Sequence, residues 1–192
     1  MKSSVILVFL IISSCLFASN GQLHFGIEFP GTHKWSENGN SLDIDSAAGL
    51  NLGGEVLSTP SQVVFGAGVN YFFPRTFKDS YTTELNFSFL AMHGICKFRM
   101  TPPESTTGLF LVGHLGYSLF FASDLYTQLD YEGELHANTE GGLYLAIGAE
   151  VALENHLVLG LMYRRLGGAL TYSGASLDVT QTNMSVLLGY NF

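Results

Sequence analysis

Met184-Ser185-Val186-Leu187-Leu188-Gly189-Tyr190-Asn191-Phe192 is the stretch that decides the fold. In an extended chain side chains alternate between two faces. Met184, Val186, Leu188, Tyr190 and Phe192 therefore share one face, opposite Asn183, Ser185, Gly189 and Asn191. A two-residue apolar period marks a strand with one apolar face. Working outward, the period recurs in seven more segments. Leu23, Phe25, Ile27 and Phe29 form the first, and Leu50, Leu52 and Val56 the second. Val63, Phe65, Ala67, Val69 and Tyr71 form the third, and Leu85, Phe87 and Phe89 the fourth. Leu109, Leu111, Leu115, Tyr117 and Leu119 form the fifth, and Leu143, Leu145, Ile147, Val151 and Leu153 the sixth. Leu157, Leu159, Leu161 and Tyr163 form the seventh.

The opposite face of these segments is mostly Gly, Asn, Ser and Ala, with isolated charges. Such residues suit a crowded, curved interior better than a solvated surface. A transmembrane barrel inverts the soluble pattern, with apolar residues toward lipid and small or polar residues inside. Composition agrees. Of 192 residues only 12 % are charged, against about 25 % in a typical soluble domain. Aromatics reach 13 %, and the formal net charge is −8. This excludes intrinsic disorder, argues against nucleic-acid binding and disfavours an ordinary cytosolic enzyme. Two cysteines, Cys15 and Cys96, make no disulfide framework. Cys96 is expected to be a small packed residue.

Residues 1–21 read as an export signal: Lys2, an apolar run over 5–12, then Ser13, Ser14, Ala18, Ser19 and Gly21. The run is too short to span a bilayer as a helix. Cleavage is expected to leave an N-terminus between Ser19 and Gln22. Ile12-Ser13-Ser14-Cys15 supports the alternative, a lipoprotein signal with Cys15 lipidated. The connections alternate in length. Residues 58–61, 101–105 and 154–156 are short, and 31–46, 73–82, 122–140 and 167–178 are long and polar. Short periplasmic turns and long external loops are the barrel pattern. The fourth segment, 83–99, exceeds a bilayer crossing, and its alternation slips near His93 and Gly94. Either a β-bulge turns Lys97 and Arg99 inward, or the strand runs beyond the membrane.

Over residues 22–192 the chain resembles the small eight-stranded bacterial outer-membrane barrels, the OmpA-transmembrane-domain and OmpX-like group. The resemblance implies an all-β, eight-stranded antiparallel up-and-down transmembrane β-barrel in the bacterial outer membrane. It also implies that Met184, Val186, Leu188, Tyr190 and Phe192 are the signal read by the barrel assembly machinery.

Catalytic and metal signatures are weak. His24, His93, His114, His136 and His156 are scattered, and none has a second His or Cys at ligand spacing. The lipid A deacylases, which the chain resembles in architecture, use a His-x-Ser pair. Here His136 precedes Ala137-Asn138 and His114 precedes Leu115-Gly116, leaving Ser118 and Glu140 as loose candidates. Asp124, Asp130, Glu132, Glu134 and Glu140 crowd the third long loop, and Glu37, Asp43 and Asp45 lie in the first. They read as solvated charge rather than a calcium loop. Phe72, Phe73, Phe77, Tyr81, Phe120, Phe121, Tyr126, Tyr163 and Tyr172 sit where interfacial girdles belong.

The expected interior charges are Glu28, Glu55, Glu84, Glu150 and Arg164, joined by Lys97 and Arg99 if the bulge exists. Buried charges must pair. Strand position predicts an outer cluster of Arg164 with Glu28. It predicts an inner one of Lys97 or Arg99 with Glu55 or Glu150. Asn51, Asn70, Asn183 and Gln181 should fill the space between, giving a plugged barrel without conductance. The expected role is non-enzymatic and structural or interactive, with external loops meeting an unidentified ligand. The expected surroundings are outer-membrane lipid, and the expected state is a monomer without cofactor or metal. A lipid-modifying barrel enzyme, or a soluble periplasmic barrel carrying an apolar ligand, is the alternative. The soluble version needs apolar residues inside.

Overall fold

The computed structural model describes residues 20–37, 40–78, 83–127, 138–172 and 175–192. For His33, Trp35 and residues 37, 40–46, 76–78, 83–86, 122–127, 138–139, 170–172 and 175–177 the description is of backbone alone. The export segment before residue 20, Cys15 included, lies outside the described residues, as do most of the third-loop acids.

Among the described residues ten strands follow in chain order: β1 (Gly21–Glu28), β2 (Gly31–Glu37), β3 (Asn40–Ser46), β4 (Gly49–Leu57), β5 (Val63–Lys78), β6 (Thr83–Arg99), β7 (Gly108–Thr127), β8 (Asn138–Ala152), β9 (Leu157–Tyr172) and β10 (Ala175–Asn191). Eight are staves of one closed antiparallel barrel in the order β1-β4-β5-β6-β7-β8-β9-β10, with β10 returning to β1. The seam runs from Gln22 opposite Asn191 to Glu28 opposite Ser185. Closure leaves no strand edge to hydrocarbon, where an unpaired peptide group is costly.

The two supernumerary strands correct the reading of 31–46 as a loop. Phe29-Pro30 interrupts the chain, and β2 then pairs with the upper part of β10 from Thr182 opposite Thr32 to Asp178 opposite Ser36. β3 folds back on β2 along its whole length. β5, β7, β9 and β10 likewise run into segments expected as loops. Beyond the hydrocarbon a ladder still satisfies the backbone, but no apolar face is needed. The alternation that betrays the lower strands is absent there.

The outer surface carries the large apolar residues. Ile147 is 67 % exposed, Leu115 62 % and Phe65 60 %. Exposure of that size over a continuous band suits lipid contact and excludes the soluble carrier, whose apolar residues would face inward. Cys96, expected to be packed, is exposed on this surface. Met184, Val186, Leu188, Tyr190 and Phe192 all face outward along β10.

β6 departs from the expected phase. Its register with β7 is continuous from Phe87 opposite Ala122 to Arg99 opposite Phe110, with no slip at His93-Gly94. Phe87, Phe89, Ala91, His93, Ile95 and Lys97 are all buried, whereas Met92, Cys96 and Phe98 are exposed. Phe87 and Phe89 therefore point inward, opposite to the sequence reading. There they join Phe72, Phe120, Leu166 and Val179 in an apolar plug at the outer end of the barrel. Ring centroids of Phe89 and Phe120 stand 5.0 Å apart. Phe72 and Phe120 thus belong to the core and not to the interfacial girdle. Alternation identifies two faces, but where the inner face is itself aromatic it does not say which is inside.

Register shifts occur elsewhere: between Asn86 and Phe87 in the β6–β7 ladder, between Gly141 and Tyr144 in the β8–β9 ladder, and in β5. Phe72 lies opposite Phe89, but Arg75 lies opposite Phe87, so β5 carries one residue more than β6 there. Pro74, which has no N–H for the ladder, falls within it. The shift brings both Phe72 and Arg75 to the buried side although three positions separate them.

Candidate functional site: a charged column inside the barrel

Below the aromatic plug the barrel holds a polar column. Among the described residues six charged side chains are buried in it: Glu28, Glu55 and Glu150 against Arg75, Lys97 and Arg164. The column is balanced, as a dry interior demands.

At the turn end, β6 contributes Lys97. Its Nζ stands 2.7 Å from Glu55 Oε2 and 2.7 Å from Glu150 Oε2. It also donates to Gln22 Oε1 at 2.8 Å. One ammonium with three donors thus meets three acceptors from β1, β4 and β8. Lys97 is the cation that the two inner carboxylates share. Arg99, the other expected candidate, is not in the column. Its guanidinium donates to Thr101 Oγ1 at 3.3 Å and to the Ser105 carbonyl at 2.8 Å, and lies over the Phe110 ring. Arg99 therefore ties down the 100–107 turn.

At the upper end, Glu28 collects ligands from four staves. Arg75 makes an ion pair with its Oε2. Arg164 Nη1 is 3.7 Å from its Oε1. Asn183 Nδ2 donates at 2.7 Å, Asn51 Nδ2 at 3.2 Å and Gln181 Nε2 at 3.5 Å. Arg164 also lies over the Phe72 ring, 5.5 Å from its centroid. The structure thus brings Arg164 to Glu28, and adds Arg75, a residue read from the sequence as part of a loop. Glu84 pairs with Lys78 through the backbone, and its side chain lies outside the described residues.

Between the clusters the sequence reading missed a group of histidines. His24 from β1, His93 from β6 and His114 from β7 converge on Glu55. His114 Nε2 is 3.7 Å and His24 Nδ1 3.8 Å from Glu55 Oε1. His93 stacks on His114 with ring centroids 4.4 Å apart. A polar chain holds the far sides of two rings. His24 Nε2 meets Asn70 Oδ1 at 2.8 Å, Asn70 Nδ2 donates to Tyr144 Oη at 3.2 Å, and Tyr144 Oη meets His114 Nδ1 at 3.5 Å. Gly53 makes the room, since a Cβ there would overlap both Asn70 and His24. The parity of His24 with Glu28, and of His114 with Ser118, places these rings inside. Their convergence from sequence positions 69 and 21 apart depends on barrel closure and register. Asn51, Asn70, Gln181 and Asn183 are all buried in the column.

Of the loose catalytic candidates, Ser118 donates its hydroxyl to the carbonyls of Gly167 at 2.5 Å and Gly142 at 3.2 Å. Glu140 is exposed. A cavity of about 280 Å³ opens at the turn end beneath the column, with Lys97, Glu150, Gln22 and Phe192 in its wall.

Similar architecture occurs in solved outer-membrane proteins. Neisserial surface protein A superposes with a TM-score of 0.54 at 14 % identity, over 90 % of this chain and 97 % of that one. OprG from Pseudomonas aeruginosa also gives 0.54, at 13 % identity, over 91 % and 96 %. No curated protein matches the chain significantly in sequence. Residues 4–192 match the family model described as the outer membrane protein beta-barrel domain. With its outward apolar band, closed eight-stave sheet and polar interior, the chain belongs to the outer membrane protein beta-barrel domain family, whose members lie in the bacterial outer membrane.

Proposed function

We propose that this barrel is a non-enzymatic surface-interaction protein whose β2–β3 hairpin contacts a partner outside the cell. One observation carries the reading. Among the described residues β3 pairs with β2 alone, so its other edge has no partner strand among them on the long-loop side. An exposed edge strand is a template for an added extended segment, with main-chain hydrogen bonds supplying affinity. The packed interior supports the same reading, because the barrel body leaves little room for substrate. The partner is an extended polypeptide segment on an opposing surface.

The test replaces residues 32–45 by a two-residue turn. Cells displaying the native and shortened proteins at equal surface level are compared for adherence to cultured-cell monolayers and immobilised matrix glycoproteins. Adherence of the shortened form is expected to fall to that of cells lacking the protein. Equal adherence by both forms would overturn the proposal.

A further inference from the structure

We infer that His93, His114 and Glu55, with His24 beside them, form a binding site for a divalent transition-metal ion of the zinc class at the centre of the barrel. One ligand atom each from Glu55, His93 and His114 lie within 4.8 Å of one another, and all three residues are buried. Tetrahedral zinc with bonds of about 2.0–2.1 Å needs its ligand atoms about 3.3 Å apart. The 3.7 Å between His114 Nε2 and Glu55 Oε1 is close to that. The His93 and His114 rings are stacked, so His93 must turn about its Cβ–Cγ bond for both to face one ion.

Three further observations point to a ligand. First, His24 Nδ1, His114 Nε2, Glu55 Oε1 and both nitrogens of His93 have no hydrogen-bond partner, although each residue is more than nine-tenths buried. Buried polar atoms are rarely left unpaired; others occur around Arg75, Arg164, Gln181 and Asn183, but those of Glu55, His93 and His114 include ligand atoms within 4.8 Å of one another. Second, the opposite nitrogens of His24 and His114 are held by Asn70 and Tyr144. A metal-ligating imidazole is oriented in this way, with its second nitrogen in a hydrogen bond and the first left for the ion. Third, Lys97 holds only the Oε2 side of Glu55, leaving Oε1 toward the rings. Imidazole nitrogen as the main donor suits zinc, copper or nickel and not magnesium or calcium, which take oxygen ligands. Lys97, which holds Glu55, also lines the turn-end cavity with Gln22 and Glu150.

The experiment uses the full-length untagged protein, folded in detergent micelles, stripped with chelator and dialysed against micromolar Zn²⁺ with excess Mg²⁺. Retention of one zinc ion per chain is expected. The variant carrying His93→Gln and His114→Gln should lose it. A variant with His33, His136 and His156 replaced by alanine should keep it. Absence of zinc from the native protein, or its retention by the double variant, overturns the site. Zinc K-edge X-ray absorption of the loaded native protein decides independently of whether the double variant folds. A nitrogen-containing shell with imidazole scattering is expected, and a shell of oxygen atoms alone overturns the inference.

Discussion

At the scale of single residues, Lys97 and Arg164 hold the column in different ways. Lys97 lies between Glu55 and Glu150, and no other cation in the described column lies within ion-pair distance of either. Glu28, by contrast, has two arginines and three amides. Removing the only cation from a buried carboxylate costs about 3–5 kcal/mol, because the charge left behind stays desolvated. Lys97→Met, close in volume, should therefore destabilise the barrel by at least that amount. Arg164→Met should cost less, about 1–3 kcal/mol, since Glu28 keeps Arg75 and Asn183. Urea titration of the folded band in cold detergent gels measures both. Equal midpoints for the two variants would show that the redundancy around Glu28 is not real.

At the scale of elements, β6 is the strand whose orientation the sequence misassigned, and the corrected phase can be checked. In a Cys96→Ser background, single cysteines are placed at Phe89 and Met92. A lipid-phase maleimide should modify position 92, which faces outward, and spare position 89, which packs against Phe120. Modification of 89 in preference to 92 would restore the phase read from the sequence. The same element explains why Lys97 reaches the interior without a bulge at His93-Gly94. Its parity matches that of Phe87 through an unbroken ladder. The extra residues sit instead in β5, β7 and β8, and the one in β5 is what turns Arg75 onto Glu28.

At the scale of the molecule, the aromatic plug and the charged column occupy successive levels of one interior. Eight staves close around a space that side chains fill. The native protein in planar bilayers should therefore show no stable porin-like conductance. The same preparation should run as a compact band unheated and as a slower band after boiling. Sustained ohmic conductance from the compact form would contradict the packed interior.

The strand count of the barrel, its lipid-facing side in seven of eight staves and the short turns can all be read from residue order. Each follows from a local rule, the two-residue period set by a membrane outside and a crowded lumen inside. The polar residues on the inner parity, Glu28, Glu55, Glu150 and Arg164, were legible for the same reason. Which side chains meet depends on the closed ring. Glu28 finds Arg75 through a bulge that carries no apolar signal, and Phe87 turns inward because the plug it enters is as apolar as the lipid it leaves. The β2–β3 hairpin forms where polar residues hide a strand from periodicity. His24, His93, His114 and Glu55 come together because closure of the sheet and the relative stagger of its strands bring two neighbouring pairs of staves, β1–β4 and β6–β7, to one level. That stagger is a property of the whole ring, which no single strand encodes.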